Sequence, residues 1–259
     1  MATPGPLRYF ETRARVYRHV WRGSVISTFL NPIMFLAAMG LGLGSLVDQG
    51  GGSTQIEGLT YLAFLAPGLM AATAMQAAAG DSSWPVMAGI KWLKTYDAAL
   101  ATPVGVSDIV LGHVAFVTTR VAFATGVYGL IAAAFGALSL QGALLATLPA
   151  ALTGLAFAAP VTAYTAGLER DSGLVALFRF GIVPMFLFSG TFFPISQLPA
   201  LIRPIAYVTP LWNGVELTRA AGLGVAPEWP AAAHLAVLTG YAVVGALVAV
   251  RRLSGRLVT

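Results

Sequence analysis

The sequence of 259 residues contains no cysteine and very little charge. The lack of cysteine excludes disulfides, thiolate metal sites and cysteine nucleophiles. Charged residues make up 10% of the chain, whereas about 25% is typical of soluble domains. Hydrophobic residues make up 57%, and several uncharged runs reach the roughly 20 residues that a helix needs to cross a bilayer. The composition therefore indicates one integral membrane domain over residues 1–259.

Several motifs of catalysis are also missing. The sequence has no G-x-x-x-x-G-K-[S/T] segment, so it predicts no P-loop for the phosphates of ATP. Neither H-E-x-x-H nor G-x-S-x-G occurs. The histidines, His19, His113 and His234, fall in separate segments, which favours packing or interface roles over a metal site. We therefore predict a chain that is not an enzyme and that holds neither a metal ion nor a cofactor.

Residues 7–22 predict an amphipathic helix that lies on the membrane surface and connects to the first span. Its apolar residues recur three and four positions apart, which is one face of a helix, and they are Leu7, Phe10, Ala14, Tyr17 and Trp21. Its arginines, on other faces, are Arg8, Arg13, Arg15, Arg18 and Arg22. A basic amphipathic helix that ends in tryptophan is typical of a membrane surface. A solvated leader is the alternative.

Six membrane spans are predicted after the surface helix of residues 1–23. Their approximate ranges are 24–47, 59–79, 109–136, 143–167, 174–193 and 230–250. Lysine and arginine set the orientation, because cytoplasmic segments carry the excess of these residues. With both termini inside, cytoplasmic segments hold eleven of the 15 Lys and Arg residues, and the outer segments hold only Arg203 and Arg219. We therefore expect both termini in the cytoplasm and, for residues 230–259, a last span with a cytoplasmic tail.

Acidic residues are absent from the predicted spans, although Glu216 lies in an apolar outer segment and can be partly buried. Ion-coupled transporters usually keep a carboxylate or histidine inside the membrane, so this distribution argues against ion coupling. Arg120 and Arg179 are the cations within the spans. Arg179 is shallow, so it can reach the surface or pair with Glu169 or Asp171. Arg120 is nearer mid-depth, where it either lines a pathway or holds two helices together.

The segment between the second and third spans predicts a short helix over residues 90–101. Pro103 stops this helix, and Ser107 can cap the next one. Trp92 and Tyr96 help to make the helix too apolar for a solvated loop. It therefore docks either on another protein or on the membrane surface.

A proline-rich apolar segment follows the fifth span. Its prolines are Pro194, Pro199, Pro204 and Pro210. Backbone groups cannot be left unpaired in lipid, so this segment is not a lipid-facing span. We predict short helices near residues 197–203 and 212–221, within a re-entrant outer cap that spans residues 194–229.

Two of these segments resemble a known family. The run F-S-G-T-F-F-P-I-S-Q-L-P…V-T-P-L-W-N-G-V-E-L-T-R is similar to the signature of the type-2 ABC exporter permeases. The run Y-D-A-A-L-A-T-P-V…D-I-V-L-G is similar to that family's segment between spans 2 and 3. The resemblance covers nearly the whole chain. It extends to the branch of the nodulation-factor (lipooligosaccharide) and daunorubicin-resistance permeases.

The resemblance implies an all-α membrane protein with six transmembrane helices, an N-terminal surface helix and a re-entrant outer hairpin before the last span. It makes residues 7–22 the connecting helix, with Arg8, Arg15, Tyr17, Trp21 and Arg22 as its implied site residues. It implies that two permeases pair, as copies or paralogues, and that each docks a separate subunit carrying ATP and Mg. The implied coupling residues are Lys91, Trp92, Tyr96, Asp97, Leu100, Thr102 and Pro103. The implied outer gate comprises Phe186, Phe188, Phe192, Phe193, Pro194 and Pro210, with plain packing as the alternative for the phenylalanines.

The leading hypothesis is therefore the membrane half of an ATP-driven exporter of an amphipathic or lipid-linked substrate. We expect it in a bacterial cytoplasmic membrane, in contact with lipid and without a nucleic-acid partner. The second hypothesis is an ion-coupled secondary transporter without an ATPase. The third is an intramembrane hydrolase that uses Ser189 with His113 or His234.

Overall fold

The computed structural model describes residues 4–43, 55–56 and 59–258, and this part of the chain is mostly helical. The α-helices are α1 Gly5–Phe35, α2 Tyr61–Asp81, α3 Trp84–Lys91, α4 Thr95–Leu100, α5 Val106–Ala134, α6 Leu140–Ala166, α7 Ser172–Leu177, α8 Val183–Phe188, α9 Arg203–Val208, α10 Pro210–Leu223 and α11 Ala231–Leu257. Two segments are π-helical, Leu36–Leu43 and Phe178–Ile182, and a 3-10 turn covers Ile195–Gln197. A small antiparallel hairpin joins β1 Gln55–Ile56 to β2 Leu59–Thr60, with Gln55 opposite Thr60.

Four helical segments of the described chain are long and apolar enough to cross a membrane. They are Tyr61–Lys91, Val106–Ala134, Leu140–Ala166 and Ala231–Leu257. They correspond to the predicted second, third, fourth and sixth spans, so the all-α membrane fold is confirmed. The last four residues of the predicted first span lie outside the described residues.

Helices α2 and α6 form the centre of the bundle. Helix α2 packs against α5, α6 and α10, and α6 also packs against α5, α10 and α11. From residue 71 to residue 79, α2 buries mainly small side chains, with Met75 as the exception; the fully buried alanines of α2 are Ala66, Ala71, Ala72, Ala74, Ala78 and Ala79. Small residues let helix backbones approach closely, which favours packing where lipid gives no hydrophobic drive between helices.

The N-terminal helix differs from the expectation of a surface helix that ends near residue 22. Helix α1 continues without a break from Gly5 to Phe35. It runs parallel to α5, because Phe10 packs edge-on against Phe116 and Tyr17 lies under the guanidinium of Arg120. No proline or cap interrupts α1 near residues 22–24, so backbone hydrogen bonding carries the helix onward.

The helix observed at the predicted fifth span is shorter than expected. The helix formed by α7, the π-helical turn and α8 covers 17 residues, Ser172–Phe188. It ends because the chain turns at Gly190, which has a φ of 79°, a conformation that glycine adopts without strain. Residues 189–193 therefore form a turn instead of the end of a span.

The proline-rich segment folds into short helices whose starts coincide with prolines. Pro194 precedes the 3-10 turn, Pro204 lies in the first turn of α9, and Pro210 begins α10. Proline fits the first helical turn because the N–H it lacks has no intrahelical partner there. The predicted helix over 197–203 is wrong, since Pro199 sits in the turn between two helical pieces. The second predicted piece is confirmed by α10.

Candidate functional site at the two ends of the bundle

The predicted coupling residues, between 91 and 103, form a segment that we call the coupling segment. It lies at one end of the bundle, which we call the basic end because it carries Lys91, Lys94 and Arg256. The predicted single helix over 90–101 is wrong. Helix α3 ends at Lys91, and the chain reverses through Lys94, whose φ of 52° is left-handed, before α4 begins. The reversal folds α4 back onto α3 at Gly89, where a Cβ atom would come within 3.0 Å of the Tyr96 ring.

The turn between α3 and α4 presents two large apolar side chains to the surroundings. Trp92 is 60% exposed and Leu93 is 69% exposed. Beside them lies an open groove of about 460 Å³ lined by Lys91, Trp92, Lys94, Asp97 and, from α11, Arg256 and Leu257. Lys94 and Asp97 form an exposed ion pair at 3.5 Å. This surface combines exposed apolar side chains with both signs of charge, as protein-binding surfaces do.

Tyr96 does not belong to that surface. Only 2% of it is exposed, and its ring packs edge-on against Tyr9 of α1 with the ring centres 6.1 Å apart. Burial raises the pKa of Tyr96 well above its ordinary value. Tyr96 therefore cannot contact a partner protein in this structure, and it instead joins α4 to α1.

The other predicted coupling residues follow α4 toward α5. Leu100 is half-buried against the main core, whereas Thr102 and Pro103 are exposed. Helix α5 begins after Gly105, whose N–H donates to Asp108 Oδ2 at 2.9 Å. The predicted cap at Ser107 is therefore wrong, because the helix starts two residues earlier than expected.

Glu169 links the coupling segment to the end of α11, a link that the sequence analysis missed. Its carboxylate lies 3.8 Å from both Lys91 Nζ and Arg256 Nη2, and Lys91 also donates to its backbone oxygen.

Two arginines of α11 also cap the end of α6. Arg256 Nη1 donates to Ala166 O at 2.7 Å and Leu168 O at 2.8 Å, and Arg252 donates to Ala163 O at 3.3 Å. Arginines thus satisfy the last carbonyls of α6, which no intrahelical donor can reach.

The predicted connecting-helix residues lie on two faces of α1. Tyr17 faces α5, where it packs edge-on against Phe116 at 5.9 Å. Arg15 is exposed and pairs with Glu11 at 3.5 Å. Trp21 and Arg22 are also exposed, and Arg8 is half-buried. The amphipathic pattern is thus present, although its apolar face packs on α5.

The structure gives Arg120 a partner. Its Nε lies 2.8 Å from Asp81 Oδ2, at the end of α2. This ion pair supports the interpretation that Arg120 holds two helices together. Arg179 is exposed in the π-helical turn between α7 and α8, and the Glu169 carboxylate lies against Lys91 and Arg256 instead.

The opposite end of the bundle, which we call the cap end, comprises residues 189–230. It brings together only some of the predicted gate residues. Phe186 and Phe192 pack edge-on with ring centres 4.9 Å apart, whereas Phe193 packs in a separate cluster with Trp212. Phe188 is 44% exposed. Pro194 and Pro210 are buried.

A charged network that the sequence analysis did not predict connects the cap end. Arg219, which is only 5% exposed, donates to Glu216 Oε1 at 3.0 Å and to Gly190 O at 2.9 Å. The Glu228 N–H donates to Glu216 Oε2 at 3.0 Å, and the Tyr207 hydroxyl donates to Glu228 Oε1 at 2.7 Å. This network raises the pKa of Tyr207, first through its bond to the Glu228 carboxylate. Glu216 is thus partly buried, as the sequence allowed.

The geometry does not favour a hydrolase. The Ser189 hydroxyl contacts Thr209 Oγ1 at 3.2 Å, and His234 Nδ1 contacts Asn213 Oδ1 at 2.8 Å. His113 lies in the first two turns of α5, at the basic end. Within the described ranges, no group of three or more His, Asp or Glu side chains is placed to hold a metal ion.

The chain is similar to known proteins over most of its length. The family model described as ABC-2 type transporter matches residues 12–223. The chain is 33% identical to nodulation protein J of Sinorhizobium fredii over 91% of this chain and 87% of that protein. It is 31% identical to nodulation protein J of Rhizobium meliloti over 88% and 84%, respectively. It is 32% identical to the protein of that name from Rhizobium leguminosarum bv. viciae over 90% and 88%.

Proposed function

Because the chain belongs to the ABC-2 type transporter family, we propose that it is the permease of an ATP-driven exporter whose ATP-binding subunits are separate chains. The cargo is an amphipathic or lipid-linked molecule, such as a lipooligosaccharide or a drug-like compound. Two permeases, either copies or paralogues, pair in a bacterial cytoplasmic membrane. Two ATP-binding subunits, which carry ATP and Mg, complete the transporter.

The observation that carries this proposal is the exposed turn between α3 and α4. The side chains of Trp92 and Leu93 are exposed on a surface that also carries Lys94 and Asp97. Exposed apolar groups of this size cost free energy in water unless another surface covers them. The turn therefore suits a groove on an ATP-binding subunit, with Trp92 and Leu93 inserted and the charges at the rim.

Contacts behind this turn connect it to the membrane-spanning helices, so that a movement of the turn can reach them. When the ATP-binding subunits close, the turn moves with them. Tyr96 then transmits the movement to α1 through Tyr9, and Lys91 transmits it to α6 and α11 through Glu169 and Arg256. Both routes rest on groups that are in contact in the structure.

The cap end supplies the outer side of the proposed exporter. Eleven of the 15 Lys and Arg residues lie in the segments assigned to the cytoplasm, which supports an orientation with the basic end and both termini inside. Helix α10 packs between α2, α6 and α11, so the proline-interrupted segment re-enters the outer leaflet under cover of neighbouring helices. Phe186 and Phe192 are then the apolar part of the outer gate.

The test is co-purification after changing the turn. The double variant Trp92→Ala/Leu93→Ala should lose its ATP-binding subunit in mild detergent while the permease remains folded. The matched control is Leu201→Ala, which removes an 87% exposed leucine from the cap end and should keep the subunit. Mass identification would establish whether the subunit carries a P-loop.

Two outcomes would overturn the proposal. In the first, the wild-type chain purifies without any P-loop subunit in several mild detergents. In the second, a pH gradient drives the movement of cargo with no nucleotide present. Either result would shift the assignment to an ion-coupled transporter.

A further inference from the structure

A cavity of about 390 Å³ lies at the cap end, between the turn at residues 190–196, α9, α10 and the loop before α11. Its volume is within the roughly 300–1,000 Å³ of small-molecule sites. The charged side chains that line it are Arg203, Glu216, Arg219 and Glu228. The proposed ATPase contacts lie at the other end of the bundle, so coupling does not account for this cavity.

The charges around the cavity balance. Two guanidinium groups face two carboxylates, and Glu216 and Arg219 are already paired at 3.0 Å. A charged ligand would bring an uncompensated charge into this partly buried site, which costs free energy. The cavity therefore suits a ligand that is polar but has no net charge.

The same groups retain capacity for hydrogen bonds with a ligand. Arg203 donates from Nη2 to Ser196 O and Leu198 O, and neither of these bonds uses its Nη1 group. A guanidinium carries five N–H donors, and a carboxylate accepts about four hydrogen bonds. Glu228 Oε1 accepts from Tyr207, which leaves further acceptor sites on this carboxylate. Donors and acceptors are therefore both available, as neighbouring hydroxyl groups require.

Aromatic rings border the cavity beside these polar groups. Tyr207 and Trp212 line it, and their ring centres are 4.8 Å apart in an edge-on arrangement. Trp229 stacks on Tyr207 with the ring centres 5.1 Å apart, which restricts the orientation of Tyr207. An aromatic face next to paired donors and acceptors fits a ring that is apolar on one face and hydroxylated at its edge.

We propose that this cavity binds a neutral, hydroxyl-rich ring, which is the chemistry of a saccharide. The identification of that ring as the head of the exported cargo rests on the proposed function. The binding itself does not. In the exporter, the cavity receives the head group on the outer side while the apolar part is still among the membrane helices.

The alternative is that the charged network only holds the cap together. That role requires the same contacts but no ligand, so it predicts no saturable binding of sugars and no dependence on sugar charge. The two possibilities therefore differ in what the purified transporter binds.

The experiment uses the transporter in lipid nanodiscs, titrated with glucose, glucuronic acid and glucosamine while tryptophan fluorescence is recorded. Glucose should bind saturably and at least five-fold more tightly than either charged sugar. Glu228→Gln replaces one acceptor oxygen by an NH2 donor, so glucose should lose one hydrogen bond to this side chain and bind about five-fold more weakly. Glucuronic acid should gain affinity in the same variant, which a purely structural role would not produce.

Tyr241→Phe is the matched control. The Tyr241 hydroxyl donates to Val208 O at 3.0 Å, so the variant loosens the same end of the bundle without changing the cavity lining. Equal affinity for the three sugars, absence of saturable glucose binding, or equal effects of the two variants would overturn the proposal. If the preparation lacks an ATP-binding subunit, the exporter assignment fails, but glucose binding to the permease still decides this inference.

Discussion

The Arg120–Asp81 ion pair gives a sharp test of how the membrane helices are held together. Arg120 Nε and Asp81 Oδ2 are 2.8 Å apart, and the side chains are 26% and 18% exposed. Arg120→Met keeps the length of the side chain but leaves the Asp81 carboxylate unpaired between α2 and α5. Breaking a fully buried pair costs about 3–5 kcal/mol. The partial exposure of this pair reduces our expectation to roughly 2–3 kcal/mol.

The second variant, Arg120→Met/Asp81→Asn, removes both charges and should recover at least half of that loss. The cation–π contact between Arg120 and Tyr17 is lost in both variants, so the difference between them isolates the unpaired carboxylate. For a chain of this size each kcal/mol corresponds to about 2–4 °C in Tm. The single variant should therefore unfold roughly 5–10 °C below wild type, and the double variant closer to wild type.

The assay is thermal unfolding of the purified permease, followed by tryptophan fluorescence at one scan rate for all variants. Asp81→Asn alone completes the cycle. The reasoning is refuted if the double variant loses as much Tm as the two single variants combined, because the residues then act independently. A double variant that is stable but no longer transports would show that Arg120 also lines the pathway.

The remaining predictions concern packing and ionisation. Gly245→Val should prevent folding, because a Cβ atom there would lie 2.5 Å from Pro160 N where α11 crosses α6; Gly240→Val on the same helix meets nothing within 4 Å and should express normally. Comparable yields of both variants would contradict the close approach. Glu228→Gln should lower the pKa of Tyr207 toward 10.0, since the carboxylate that favours the neutral phenol is gone. Ultraviolet difference titration against Tyr207→Phe measures the shift, and an unchanged pKa would show that the hydrogen bond is not its cause.

The long helices were predictable from sequence because each depends on local hydropathy and local stop signals. Uncharged runs predicted α5 and α6 to within about three residues. Ser139 caps α6 by accepting from the Gly142 N–H at 2.9 Å. These elements follow from nearest neighbours in the chain, so hydropathy and capping residues suffice.

The coupling segment was not predictable in detail because a tertiary contact shapes it. Hydropathy favours one helix over 90–101, but Tyr96 packs against Gly89 and Tyr9, which splits it into α3 and α4. No local signal marks Lys94 as left-handed. The same applies to Tyr96 itself, whose residue type suggests a contact surface but whose burial comes from α1.

The charged network at the cap end was missed for a similar reason. Glu216 and Arg219 lie three residues apart, so their pairing is local and could have been predicted from the sequence. The contacts of Arg219 with Gly190 and of Glu228 with Tyr207 depend on how the proline-started helices turn back. The prolines predicted that the segment breaks, and only the fold shows which side chains the breaks bring together.

The alanine surface of α2 has a mechanical consequence. Between residues 71 and 79 the buried surface of α2 is mostly methyl groups, so few long side chains there must change rotamer when a neighbouring helix shifts along it. Sliding of packed helices is one of the ways in which proteins change shape. We expect α2 to stay in place while α5 and α10 shift along it by small amounts during a transport cycle. A larger side chain at Ala72 or Ala78, which are both fully buried, would then block this shift and would also cost about 1–3 kcal/mol of stability through overpacking.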